Sequence, residues 1–179
     1  VRDLRGADWP QRSMGDGGDR RHPHQGAPLG RRRKRGAFAQ AIGTSRGGRT
    51  SKLHGLTDEA GRPRVLLISA GNINDMTMAP ALIEAAGPFT RLIADKGYDS
   101  NAVRELVAGR DAEAVIPSTA SRRAPIPYDR TAYRARNLVE RLWCRLKDWR
   151  RIATRYDKLA RNYLSGALIA ATIAFWCAN

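Results

Sequence analysis

Four side chains able to handle a phosphodiester fall at helical spacing in the carboxyl-terminal part of the chain: Tyr133, Arg136, Glu140 and Lys147. At about 100° per residue they occupy a sector of roughly 60°. One stripe therefore carries a phenol, a guanidinium, a carboxylate and an ammonium. A lone carboxylate flanked by cations suits a place where a metal ion and a phosphodiester meet; it equally suits a solvated, salt-bridged helix face. A second constellation, Asp95-Lys-Gly97-Tyr98-Asp99-Ser100, follows a short apolar run. Open α/β sheets collect their ligands there, outside the carboxyl ends of strands. Gly97 permits a tight turn that leaves the Asp95 carboxylate projecting, although Asp99 or Ser100 can also cap a helix and leave Asp95 merely solvated. Together, Asp95 and Glu140 could converge on a hard cation such as Mg²⁺, which takes few oxygen ligands.

The elements that must position these groups begin near Thr50. Ser51–Asp58 and Arg64–Ala70 read as two strands joined by the turn-prone Asp58-Glu-Ala-Gly61. Asp75 is expected to cap a helix over Met76–Ala86, followed by a buried strand over Thr90–Ala94. Ser100 opens another helix to about Gly109, and Ala114–Ile116 forms a strand. Pro117–Pro127 makes a basic loop that holds Arg122 and Arg123. A long helix is expected over Arg130–Arg150, and a last one over Leu159–Trp176, apolar almost all round and so packed into the body. The fold class is α/β.

The chain has 179 residues, enough for one domain with a real core. A net charge of +15 makes a polyanion the default partner, nucleic acid above all. Residues 1–50 hold twelve Lys and Arg against four Asp and Glu, 51–117 hold seven against nine, and 118–163 hold thirteen against four. Two cysteines, Cys144 and Cys177, make neither a disulfide framework nor a paired-ligand zinc site, which fits a reducing, cytoplasmic setting. The longest apolar run, Leu164 to Trp176, is too short to cross a bilayer, and no secretory signal precedes the charged N-terminus. Residues 1–36, with the run Arg31–Arg35, lack apolar periodicity and read as a basic, disordered leader to a domain over 37–179.

Asp95-x-Gly97-Tyr98, followed by Tyr133-x2-Arg136-x3-Glu140-x6-Lys147, resembles the catalytic signature of bacterial insertion-sequence transposases of the DDE, RNase-H-like superfamily. The segments Gly43–His54 and Arg150–Leu159 look familiar too, and the resemblance covers roughly Gly36 to Asn179. It implies an RNase-H-like mixed sheet flanked by helices. It also implies cleavage and joining of double-stranded DNA at transposon ends and target, by two Mg²⁺ ions (Mn²⁺ as a substitute) held by three carboxylates. Asp95 would be the second aspartate and Glu140 the glutamate. Arg136 and Lys147 would hold the DNA backbone, Tyr133 would pack near the distorted strand, and Arg122 and Arg123 would contact phosphate. A homodimer associated with the bacterial nucleoid is the expected active form.

One feature departs from that pattern: the first aspartate and its strand are missing. The chain instead reads Asp16-Gly-Gly-Asp19-Arg-Arg-His22-Pro-His24, with neither acid in an apolar context. Back-translating from Met14 with permitted codons and reading one nucleotide later yields Met-Val-Val-Ile-Asp-Ala-Thr-Arg-Ile-Lys-Ala-His-Arg, a strand with its aspartate. The expectation is that residues 1 to about 30 are out of frame, the frame being restored near Arg31–Arg35, so that this copy is impaired or is completed by frameshifting. The rival reading is a non-catalytic basic nucleic-acid-binding protein; a ribosome-associated protein would have no use for the acids at 95 and 140. His54 is expected to be a half-buried structural histidine, Trp143 and Trp149 packing residues, and Cys144 a packed thiol.

Overall fold

The computed structural model describes residues 40–45 and 48–177. The expected leader, and with it the place of the missing aspartate, lies outside the described residues. The elements are β1 (Gly43–Ser45), β2 (Gly48–Thr57), β3 (Pro63–Ala70), α1 (Asp75–Ala85), β4 (Arg91–Ile93), α2 (Asn101–Ala108), β5 (Glu113–Val115), α3 (Arg130–Tyr133), α4 (Asn137–Lys147), α5 (Arg150–Ala153) and α6 (Ala160–Thr172). Among the described residues the strands form two small sheets rather than the single mixed sheet expected. One is antiparallel in the order β1-β2-β3, and the other is the parallel pair β4-β5.

The β2–β3 hairpin divides the helices. Strand alternation puts Leu56 and its partner Val65 on one face and Gly55 and its partner Leu66 on the other. The first face packs with Leu82 and Ile83 of α1 and Val103 and Val107 of α2. The second face, with Leu53, packs against Val139, Leu142, Trp143 and Leu146 of α4 and Ala167, Ala170 and Ala171 of α6. The hairpin turn closes because Asp58 Oδ1 accepts from the amides of Ala60 and Arg62, while Gly61 takes a φ of +80° that a side chain would resist. Arg155, from the second familiar segment, locks the first one in place by donating to the carbonyls of Gln40 and Ala41 and to Ser51 Oγ.

Several expectations are corrected. Asn74, not Asp75, caps α1, its Oδ1 accepting from Met76 N at 3.0 Å. The long helix is segmented: α3 tightens into a 3₁₀ turn at Arg134–Arg136 before α4, and an extended Trp149 separates α4 from α5. None of residues 130–136 is fully buried, so little packing holds a regular α-helix there. Cys144 is exposed and so is not a packed thiol, while Trp149 is 38% exposed and Trp143, at 4%, is a core residue. The last helix passes into a π turn at Ile173–Cys177 and shows one apolar face to solvent, with Ile169 61% and Trp176 53% exposed. Its small residues Ala167, Ala170 and Ala171 enter the core, with Leu164 and Phe175 packed against them and Tyr163 buried. Among the described residues, no helix is long and apolar enough to cross a membrane.

Candidate active site

A cleft of about 1080 Å³ opens where the end of β4, the start of α1 and one side of α4 meet. Asp95, Tyr133, Arg136, Glu140 and Lys147 all line it, so the structure brings together the two constellations that are 45 residues apart between Asp95 and Glu140. In α4 the buried positions Val139, Leu142, Trp143 and Leu146 recur at helical spacing. That fixes the rotation of the helix and leaves Glu140 and Lys147 at the cleft. The 3₁₀ turn ahead of α4 keeps the stripe intact: Arg136 Nη2 donates to Glu140 Oε1 at 2.7 Å, and its guanidinium lies 5.9 Å from the Tyr133 ring centroid. Both members of the ion pair are partly exposed, so it is worth only a few tenths of a kcal/mol, and its consequence is orientation.

Asp95 sits at the carboxyl end of β4, where a 3₁₀ turn over Lys96–Tyr98 begins. Its Oδ1 accepts from Gly97 N at 2.8 Å. A side chain at position 97 would press on that oxygen, since a Cβ there lies 2.9 Å from it. Burial pushes the Tyr133 phenol up, the carboxylates of Asp95 and Glu140 adding to the rise against Arg136. Tyr133 is therefore a protonated hydrogen-bond donor beside two acids. Tyr128 meets it edge-to-face, ring centroids 5.4 Å apart.

Three charged residues of the cleft carry no site role in the sequence reading: Lys52, Asp75 and Lys96. Lys52 Nζ donates to Asp75 Oδ1 at 2.7 Å and to the Ile73 carbonyl at 2.8 Å. Strand alternation on β2 was a usable signal, because it places Lys52 and His54 on one face, towards the start of α1. Asp75 was hidden by its neighbour, since Asn74 and Asp75 are both good capping residues and the chain alone does not choose between them. Behind the pair, His54 is completely buried rather than half-buried, with Nε2 2.7 Å from Ser69 Oγ. Burial pushes its pKa down, with Lys52 assisting and Asp75 opposing.

Arg122 and Arg123 do not line the cleft. Arg122 grips Asp99 with two parallel bonds of 2.9 Å and donates to Asn101 Oδ1 as well. Asp99 is fully buried and also accepts from Arg104 Nε and Thr119 N. Burial pushes the Asp99 carboxyl up, but the hydrogen bonds from Arg122, Thr119 and Arg104 outweigh it and hold it far below the usual carboxylate range. This cluster fastens the loop after β5 to the start of α2. Arg123 is exposed on that loop.

The donors at the cleft suit a hard cation. Asp95 and Glu140 offer carboxylate oxygens, and Mg²⁺ binds through one or two carboxylates together with water and phosphate oxygens. Asp75 is the third acid of the cleft, but among the described residues no three acidic, histidine or cysteine side chains are gathered closely enough to hold a metal between them.

Carboxylates set among Lys52, Lys96, Arg136 and Lys147 in one concave α/β site have the charge make-up of a domain that handles phosphodiesters. Residues 16–175 match the family model of the transposase DDE domain, and the chain belongs to that family. It is 29% identical over 116 residues to a Brucella ovis protein named "Putative transposase for insertion sequence element IS6501", covering 64% of this chain and 89% of that one. It is 31% identical over 140 residues to a Burkholderia cepacia protein named "Putative transposase for insertion sequence element IS402", covering 72% of this chain and 63% of that one, so it spans less than two thirds of the second relative. No solved structure matches the chain. Membership places the chain among transposition enzymes, a class that acts on DNA and uses divalent metal ions.

Proposed function

We propose that the cleft performs metal-dependent phosphodiester chemistry on double-stranded DNA, cleaving and joining strands at insertion-sequence ends. The observation that carries this reading is the meeting of Asp95 and Glu140 in one cleft with Tyr133, Arg136 and Lys147. Asp95 and Glu140 would hold the cation, Mg²⁺ by preference and Mn²⁺ as a substitute. Bound there, it would activate the attacking water or 3′-hydroxyl and stabilise the oxygen that leaves phosphorus. Arg136 orients Glu140 and, with Lys147, supplies positive charge for the DNA backbone. Tyr133 is a donor and a ring surface for a distorted strand. Among the described residues, a three-stranded antiparallel sheet, a helix and then a parallel pair support an RNase-H-like domain, and a homodimer is the proposed active assembly.

The same reading makes this copy impaired, because a site with two of three family carboxylates binds its cation weakly. The rival, a basic protein that only coats phosphate, draws on the net charge of +15. The two separate in one experiment. Metal-dependent nicking of duplex DNA by the chain, and by a version restored to the shifted upstream frame, is compared with that of Asp95→Asn and Glu140→Gln. Transposase chemistry requires nicking in the restored protein and its loss in both variants with DNA binding retained. Coating alone requires no nicking anywhere and binding that depends only on salt.

A further inference from the structure

The best-placed cation of the cleft is not on the Tyr133–Lys147 stripe. Lys52 projects from the middle of β2, and its stem is enclosed, the side chain being only 17% exposed. Its ammonium is delivered to the cleft at the start of α1. A partly buried ion pair adds little net stability, because desolvating both charges offsets their attraction, and an apolar pair of similar volume would hold β2 to α1 at least as well. A compact ammonium on an ordered stem is, in contrast, a good point contact for a phosphate oxygen. Folding has already restricted its rotamers, so little further ordering is needed on binding. The start of α1 adds its positive helix end to the same spot. Asp75 then stands where a phosphate oxygen would stand: a single anionic oxygen 2.7 Å from Nζ.

We propose that Lys52 contacts a DNA phosphate in this cleft and that the Asp75 carboxylate is the internal anion which that phosphate displaces. The inference rests on the reading that the cleft receives DNA. It widens the site: DNA meets Lys52 as well as the α4 stripe.

The test measures binding of the full chain to a short duplex oligonucleotide in EDTA, across a salt series. The double variant Lys52→Met/Asp75→Asn removes both charges, so net charge is unchanged and no lone half-buried ion is left to unfold the protein. Each phosphate contact contributes about 0.9 to the log–log salt slope, or roughly a 3.5-fold change in affinity between 0.05 and 0.2 M salt. The slope of the double variant is expected to fall by about that one contact, with its melting temperature near that of the parent. Lys52→Arg, which keeps the cation, is expected to keep the slope. Asp75→Asn alone is expected to bind more tightly than Glu84→Gln, an exposed acid on α1 whose loss changes net charge equally. A folded double variant with the parental slope and affinity overturns the role of Lys52, and equal gains from Asp75→Asn and Glu84→Gln overturn that of Asp75. Salt-independent binding, or none, by the parent chain overturns instead the reading of the cleft as a DNA site.

Discussion

Asp99→Asn is the substitution whose effect follows most directly from the geometry. The Asp99 carboxylate is completely buried and accepts from Arg104, Arg122 and Thr119. Replacing it with an amide strands two guanidinium groups that are themselves only 12% and 18% exposed. Removing one partner of a buried pair typically costs about 3–5 kcal/mol. Arg104 keeps the Ile116 carbonyl and Arg122 keeps Asn101, so the lower end applies, about 3 kcal/mol. For a chain of this size that is a fall in melting temperature of roughly 6–12 °C. Arg122→Met removes three hydrogen bonds but leaves Arg104 on the carboxylate, and is expected to cost about 1.5–3 kcal/mol. Calorimetry gives the melting temperatures, and the duplex-binding salt series gives the second readout. Both variants are expected to lower stability while Arg122→Met leaves the salt slope unchanged. Should Arg122→Met lower the slope by about one contact and leave the melting temperature alone, the clamp is incidental and Arg122 is a phosphate ligand.

His54 has a depressed pKa in the folded chain, so its stabilising contribution is complete above the ordinary value of 6.5 and is lost as pH falls below it, when only the unfolded chain takes up the proton. NMR titration should show the His54 imidazole taking up its proton below the ordinary value of 6.5. A Cβ on Gly55 would lie 2.8 Å from Trp143 Cη2, so Gly55→Ala should lose about 1–3 kcal/mol by pushing α4 off the sheet, measured by denaturant unfolding. Leu142→Ala, at a position with no exposure, should lose about 2–5 kcal/mol in the same assay. Sequencing the gene should find, one nucleotide out of register between the codons for Met14 and Pro28, a strand with a central aspartate; another product in that frame removes the argument for a lost carboxylate.

Turn residues, caps and apolar runs make much of the molecule legible in the sequence. The strands β2 and β3 announce themselves by the turn-prone Asp58–Gly61 between them and the apolar run Val65–Ile68, α2 by Ser100 and the spacing of Val103 and Val107, and the shared cleft of Asp95 and Glu140 by their places at a strand end and on a helix stripe. What stayed hidden depended on choices that local pattern does not encode. Asn74 and Asp75 compete for one cap; Asn74 takes it and Asp75 pairs with Lys52 in the cleft. Arg122 looks like any solvent-facing arginine until the fold brings Asp99 within reach across 23 residues. The last helix looks apolar all round, yet its close approach to β3 selects alanines for the core and leaves Leu168, Ile169, Ile173 and Trp176 outside. Arg155 reaches back 104 residues to Ser51, a contact that no local spacing predicts.

The central claim is that Asp95 and Glu140 act together on one cation at the cleft. Its most direct measurement is the binding of Mn²⁺, followed by electron paramagnetic resonance, to the chain restored to its upstream frame and to its Asp95→Asn and Glu140→Gln variants, with nicking of duplex DNA recorded in the same samples. Each single substitution is expected to weaken Mn²⁺ binding and abolish nicking while the salt slope for DNA stays as in the parent. Unchanged Mn²⁺ binding and unchanged nicking in either variant would contradict the claim.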